Sequence, residues 1–370
     1  MEQKKKLTMK NVAEIAGVST ATVSRTLMKP EKVSSDTRKK VEQAVVKAGY
    51  YPNALCRNVK HRKSHNILVI VPDISDPFFL EIIPGIKETA LDHSYLVIIV
   101  DCVQQIWSKK TIIDLTISKK IAGMLLLGAN LPFDITKEQQ PNLPPMVMAN
   151  EFVPELELST VHIDNLSAAF QAVNYLYKLG HQHIACVAGL ETMPLSYYRL
   201  QGYIQALRRN NIAIKNEYIV RAHCSYEAGM KAFATLMALP YAPTAIFFYS
   251  DIMAVGAIWQ AKQLGLRIPQ DVSFIGFDNL KCSQYCDPPL TTVAQPSYQI
   301  GQKMMLLLLD QLAGKRAKTG SHLLDYELII RKSTAIPTAL QVAAKRPGRE
   351  TDERRQPHEG ESCQPTTRRF

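Results

Sequence analysis

Four aspartates lie just after short apolar stretches, where polar chemistry is expected. They are Asp73, Asp101, Asp251 and Asp278. Carboxylates that follow buried strands can bind a ligand by accepting its hydrogen bonds. They lack the spacing of a carboxylate metal site, and the sequence contains no HExxH, GxSxG or phosphate-binding loop motif. The pattern favours ligand binding over catalysis, with no catalytic residue, metal site or cofactor.

A second set of hydrogen-bonding side chains lies near the N-terminus at helical spacing. Ser19 can cap a helix over residues 20–27, whose buried side carries Val23 and Leu27. Three side chains would then project outward toward a major groove: Thr20, Ala21 and Arg25. Arg25 is the strongest candidate to read a base, because a guanidinium can pair bidentately with guanine.

The elements on either side of that helix predict a small three-helix domain. Thr8 can cap a first helix with Val12, Ala13 and Ala16 on one face, and Gly17-Val18-Ser19 forms a turn. A third helix begins near Ser34, ends at Gly49, and has an apolar stripe made by Thr37, Val41, Ala44, Val45 and Ala48. This arrangement predicts a helix-turn-helix.

The net charge of +11 is concentrated in the same region. Residues 1–65 carry 15 Lys and Arg against 5 Asp and Glu, a local balance of +10. Basic side chains favour a polyanionic partner, because neutralising phosphates releases condensed counterions.

The remainder of the chain alternates between apolar bursts and helical stretches. We predict strands at 67–71, 95–100, 124–127, 184–188, 245–249 and 272–277, and helices at 79–92, 168–179, 254–264 and 300–312. Continuous apolar runs are typical of parallel strands buried on both faces. The fold class is therefore α/β, with two doubly wound lobes.

Composition limits the other classes of protein. The 370 residues, 46% of them apolar, suit two or three domains. No apolar run is long enough to span a bilayer and no signal peptide is recognisable, so we expect a cytoplasmic protein without a membrane partner. The seven cysteines lack paired spacing and indicate reduced thiols.

Two N-terminal segments, MKNVAEIAGVSTATVSRTL and VSSDTRKKVEQAVVKAGYYPN, resemble the DNA-binding headpiece of the LacI/GalR repressor family. The resemblance continues to about Pro337 and implies a periplasmic-binding-protein-like core. It also implies a hinge helix after Pro52, where Val59 stands in place of the usual leucine. The DNA-binding residues that it implies are Thr8, Ser19, Thr20, Ala21, Ser24, Arg25, Asn53 and Val59.

The resemblance also implies where a small-molecule effector binds. The candidates are Phe78, Phe79, Asn150, Arg199, Ser250, Asp251 and Asp278. Capping of a helix explains Asp251 almost as well as ligand contact does. Met193 stands where the purine-responsive relative carries an arginine, and Cys224 stands where several relatives carry an aromatic residue.

The resemblance is strongest to a nucleoside-responsive branch of the family. It implies a homodimeric repressor of nucleoside uptake and breakdown genes that binds operator DNA, with cytidine or a related nucleoside as inducer and the cyclic-AMP receptor protein as a further partner. A purine- or sugar-responsive repressor, a sensor without a headpiece, and an enzyme of the same fold class are the alternatives. The predicted domains are 1–52 (headpiece), 53–65 (hinge), 66–337 (core) and 338–370 (disordered tail).

Overall fold

The computed structural model describes residues 9–28, 30–48, 64–102, 120–128, 143–151, 157–191, 193–315 and 319–338. Thr8, Asn53 and Val59 lie outside these ranges, as do most of the predicted hinge and nearly all of the predicted tail. The roles assigned to those residues stay predictions.

The N-terminal region folds as the predicted three helices. They are α1 (Met9–Ala16), α2 (Thr20–Met28) and α3 (Ser35–Ala48), with a 3-10 turn at Pro30–Lys32. The turn between α1 and α2 requires Gly17, whose φ of 63° is a left-handed conformation that glycine adopts without strain. Their shared core is formed by Val12, Ala13, Val23, Val41, Ala44 and Ala48. The predicted helix-turn-helix and its core are confirmed.

Two six-stranded sheets follow. The first has the order β11-β5-β4-β3-β1-β2. Its strands are β1 (Asn66–Val71), β2 (Leu96–Asp101), β3 (Gly123–Leu126), β4 (Met146–Ala149), β5 (Ser159–Ile163) and β11 (Gly320–Leu324). The pairs β1–β2, β1–β3 and β3–β4 are parallel, as the repeated strand–helix order predicts.

The second sheet has the order β12-β10-β9-β8-β6-β7. Its strands are β6 (Ile184–Ala188), β7 (Ile219–Arg221), β8 (Ala245–Phe248), β9 (Ser273–Asp278), β10 (Thr291–Ala294) and β12 (Glu327–Ile329). The β10–β12 pair is antiparallel, whereas β6–β7, β6–β8, β8–β9 and β9–β10 are parallel. Every residue of β6, β8 and β9 is buried, as continuous apolar runs predict.

One strand departs from that expectation. We predicted that the run at 95–100 would be buried on both faces, but Leu96, Ile98 and Ile99 of β2 are exposed. The reason is that, among the strands of the described ranges, β2 lies at the edge of its sheet and pairs with β1 alone. An apolar run predicts a strand, but the position of that strand in the sheet decides its burial.

Seven further helices occur in the described residues. They are α4 (Pro77–Asp92), α5 (Asn165–Lys178), α6 (Pro194–Arg209), α7 (Tyr226–Met237), α8 (Asp251–Gln263), α9 (Lys281–Tyr285) and α10 (Ser297–Leu312). Within the described ranges, no helix is long and apolar enough to cross a membrane.

The chain divides into two compact units. The first comprises residues up to Ala149 together with Val153–Thr160 and Gly301–Gly320. The second comprises Asn150–Phe152, Val161–Ile300 and the chain from Ser321 onward. The second unit therefore contains α5 to α9 and most of the polar candidates.

Candidate functional site

Arg199 is held inside the second unit by contacts on several sides. It lies on α6 and is 3% exposed. Its Nε donates to Asn165 Oδ1 (2.9 Å) and its Nη1 donates to the Tyr249 carbonyl oxygen (2.6 Å). The guanidinium carbon lies 4.5 Å from the Tyr249 ring centroid and 3.7 Å from that of Phe277. Stacked rings and fixed acceptors hold this cation in one orientation.

Asp278 is brought to the same place by the carboxyl end of β9. Its Oδ1 lies 3.5 Å from Arg199 Nη1, and both side chains are buried. Ser250 Oγ donates to Oδ2 and Gln295 Nε2 donates to Oδ1, each at 2.8 Å. Burial raises the pKa of Asp278, while Arg199 and these two donors lower it. The two candidates that were predicted from distant segments thus form a buried ion pair.

Asp251 is fully buried at the start of α8. Its Oδ2 accepts from the Leu280 backbone N–H (2.8 Å) and its Oδ1 accepts from Thr292 Oγ1 (2.6 Å). Burial raises the pKa of Asp251 well above its usual value, and the neighbouring Asp278 carboxylate raises it further. Both carboxylate oxygens of Asp251 accept hydrogen bonds from the protein, as do both oxygens of Asp278, and direct contact of Asp251 with a ligand stays a prediction.

Four further residues of this unit bear on the site: Asn150, which was predicted, and three that were not. Asn150 has a left-handed backbone (φ 67°), and its buried Oδ1 has no hydrogen-bond partner among the described residues. Asn165, Tyr249 and Gln295 were not among the predicted site residues. Asn165 and Gln295 follow the strands β5 and β10, which were not among the predicted strands, so the rule that selected the aspartates could not find them.

A cavity of about 420 Å³ opens in the same unit. It is lined by His162, Ile163, Asp164, Asn165, Leu166, Leu195, Tyr198, Ser321 and Leu323. Asn165 links it to Arg199, because the amide that lines the cavity also accepts from the guanidinium. A volume of this size lies within the range of small-molecule pockets, about 300–1,000 Å³.

The aromatic candidates lie in the first unit. Phe78 and Phe79 are 4% and 8% exposed and pack edge to face, with ring centroids 5.6 Å apart. Both are in the first turn of α4, which Asp76 caps by accepting from the Phe78 backbone N–H (2.9 Å). Their role as ligand contacts stays a prediction.

The exposed face of α2 presents the side chains predicted to read DNA. Thr20, Ala21 and Arg25 are exposed, and Ser24 is half-buried. Ser19 Oγ accepts from the Thr22 backbone N–H (3.1 Å), which confirms the predicted cap. The residues that would contact bases thus project from a helix fixed by its own cap and core.

These features define a class of protein. A basic helix-turn-helix precedes two mostly parallel α/β units, one of which contains the buried ion pair of Arg199 and Asp278. No group of His, Cys, Asp or Glu in the described ranges is arranged to hold a metal ion. A basic helix-turn-helix of this kind is typical of DNA-binding regulators.

Comparison with known proteins identifies the family. Residues 8–53 match the lacI family of bacterial regulatory proteins, and residues 173–334 match a periplasmic binding protein-like domain. The HTH-type transcriptional repressor CytR of Escherichia coli (strain K12) is 60% identical over 337 residues, covering 91% of this chain and 99% of that protein. The chain belongs to the LacI family and is a DNA-binding transcriptional regulator.

Two further relatives agree with this assignment. The HTH-type transcriptional repressor PurR of Pectobacterium atrosepticum is 32% identical over 338 residues, covering 89% of this chain and 97% of that protein. A structure of the lac repressor dimer bound to operator and the anti-inducer ONPF matches with a TM-score of 0.77 and 26% identity. That match covers 90% of this chain and all of the other.

Proposed function

We propose that this protein is a homodimeric repressor that binds operator DNA through its headpieces and is released by a nucleoside, with cytidine the favoured inducer. We propose further that it acts in the cytoplasm, controls genes of nucleoside uptake and breakdown, and is not an enzyme. The observation that carries the sensor role is the buried pair of Arg199 and Asp278, which offers donors and acceptors side by side.

The chemistry of this pair favours a nucleoside. A ribose has hydroxyl groups that can donate hydrogen bonds to a carboxylate such as Asp278. A pyrimidine has carbonyl and ring-nitrogen atoms that can accept hydrogen bonds from a guanidinium such as Arg199. A base can also stack on aromatic rings. The 60% identity to the CytR repressor supports assignment to the nucleoside-responsive branch of the family.

Release from DNA requires that effector and operator favour different states. A ligand shifts an equilibrium only by its differential affinity for the two states. In our proposal the hinge at 53–65 folds on DNA when two protomers hold it in register, and bound nucleoside disfavours that arrangement. A short helix is marginal alone, so its folding can be coupled to binding.

Isothermal titration with a panel of ligands tests the sensor. Cytidine, uridine, adenosine, hypoxanthine and ribose are each titrated into wild-type protein and into Arg199→Ala, Asp278→Ala and Arg267→Ala variants. Arg267 is the control, because it pairs with Asp271 on the surface. We expect cytidine to bind wild type and the control but neither site variant. Selective binding of a purine would instead indicate a purine-responsive repressor, and selective binding of ribose would indicate a sugar-responsive one.

Fluorescence anisotropy with operator DNA tests the headpiece and the response. Arg25→Ala is expected to weaken operator binding by about 1–3 kcal/mol, the value of a bidentate base contact. Arg38→Ala is the control, because Glu42 already binds its guanidinium at 2.8 Å. Cytidine is expected to release the wild-type complex. Operator binding that is unchanged by any ligand of the panel would contradict the repressor mechanism.

Two further parts of the proposal have their own tests. Chromatography of cytidine incubated with the protein is expected to show unchanged nucleoside, and product formation would mean that the protein is an enzyme. Footprinting with the cyclic-AMP receptor protein on one promoter is expected to show mutually dependent occupancy. If each protein occupied its promoter site independently of the other, the cyclic-AMP receptor protein would not be a partner.

A further inference from the structure

The turn that follows β9 has an unusual backbone. Asp278 and Asn279 are consecutive non-glycine residues with positive φ, 107° and 58°. Left-handed backbone is unfavourable for side-chain-bearing residues and persists only where surrounding contacts enforce it. The direction of the Asp278 carboxylate therefore depends on whatever holds this turn, in addition to its direct contacts with Arg199, Ser250 and Gln295.

Contacts on two sides hold the turn. On one side, Asp251 Oδ2 accepts from the Leu280 backbone N–H at 2.8 Å. On the other side, Arg331 Nη2 donates to Asn279 Oδ1 at 2.6 Å. The Asn279 backbone N–H also donates to Thr292 Oγ1, at 3.4 Å. The short contact from Arg331 thus reaches the side chain of Asn279, a residue with a left-handed backbone.

Arg331 is itself anchored, so it can act as a fixed support. Its Nη1 donates to the Leu290 carbonyl oxygen (2.7 Å) and to Ser283 Oγ (3.2 Å). Its backbone N–H donates to Thr291 Oγ1 at 2.9 Å. Since all of these partners lie in the second unit, Arg331 ties the segment after β12 to the turn.

We propose that Arg331 is a positioning residue for effector recognition, which acts through Asn279 to aim the Asp278 carboxylate. Arg331 is not itself a ligand contact in this proposal. The inference rests on the proposed function, because it assumes that Asp278 binds the effector. A solely structural role would anchor the chain after β12 without altering the affinity of the folded protein for ligand.

A double-mutant cycle with cytidine as the probe separates these roles. Arg331→Met removes the donors and keeps an extended side chain, whereas Arg267→Met is a surface control. We expect Arg331→Met to weaken cytidine binding roughly tenfold, the loss of one charge-assisted hydrogen bond. In an Asp278→Asn background the same change is expected to have less than about a twofold effect, because the two residues act as one unit. Equal losses in both backgrounds would refute the proposal.

Variants at Asn279 test the same contact without touching Arg331. Asn279→Gly tolerates the positive φ but removes the acceptor, so it is expected to weaken binding about as much as Arg331→Met. Asn279→Asp keeps an acceptor for the guanidinium and is expected to bind within about twofold of wild type. Wild-type affinity in Asn279→Gly would overturn the inference even if Arg331→Met fails to fold.

Hydrogen exchange provides a readout that needs no ligand. In peptides covering residues 276–282, Arg331→Met is expected to accelerate exchange at least roughly tenfold, because the Leu280 N–H loses protection when the turn loosens. Unchanged exchange would refute the positioning role. Wild-type protein that binds no nucleoside would refute the proposed function instead, so the two failures are distinguishable.

Discussion

Removing the Arg199 guanidinium is expected to destabilise the second unit in a pH-dependent way. Arg199→Met deletes the bonds to Asn165 and Tyr249 and leaves the Asp278 carboxylate buried without its cation. Breaking a buried pair on one side typically costs about 3–5 kcal/mol. We therefore expect a loss of that size near neutral pH.

The loss should shrink as the pH falls. Burial already raises the pKa of Asp278, and removing Arg199 raises it further. A carboxyl whose folded pKa lies above its unfolded value contributes stability that is present below the unfolded pKa and is lost as pH rises through the folded one. The variant should therefore recover part of its stability between about pH 8 and about pH 5. Adding Asp278→Asn should restore much of it at both pH values.

Urea unfolding measured through Trp259 tests this reasoning. Trp259 lies on α8 in the same unit, and a Trp107→Phe background removes the other tryptophan signal. Wild type, Arg199→Met, Asp278→Asn and the double variant are compared at both pH values. A loss below about 1 kcal/mol for Arg199→Met, or one independent of pH, would show that the ion pair does not hold the site together.

Three other predictions concern the same unit. Gly229→Ala is expected to cost about 2–3 kcal/mol in urea unfolding, since its Cβ would fall on the Met253 carbonyl oxygen; a neutral effect would contradict the close packing of α7 on α8. Asp164→Ala should lower the free energy of unfolding by about 1 kcal/mol, because the Asp164 side chain caps α5 by accepting from the Ser167 backbone N–H; thermal unfolding is the measurement. Asp251→Asn should gain stability relative to wild type as pH rises from about 5 to about 8, because burial raises the pKa of that carboxyl; a constant difference across this range would refute it.

The three helices of the headpiece could be predicted from the sequence. Its three helices depend on local signals, such as the Ser19 cap and the glycine turn at Gly17, and on a stripe of apolar residues at helical spacing. The bounds agree closely, because α2 was expected at 20–27 and spans Thr20–Met28. Short-range physics determines these elements.

The sensor strands could also be located, but their environment could not. The runs at 184–188 and 245–249 became the buried strands β6 and β8, whereas the equally apolar β2 is an exposed edge. Strand order is a property of the whole sheet. The number of paired neighbours, which decides burial, is not encoded in any one strand.

The residue types at the candidate site came from the sequence, through strand-end aspartates and family resemblance. The sequence alone determined that Arg199 and Asp278 are present and that the N-terminal region is basic. Only the tertiary structure decided that these two side chains lie 3.5 Å apart and that Arg331 supports the turn between Asp278 and Leu280. The physical reason is that hydrogen bonds and ion pairs between segments far apart in the chain depend on how β9, β10 and α6 pack, and no local pattern records that packing.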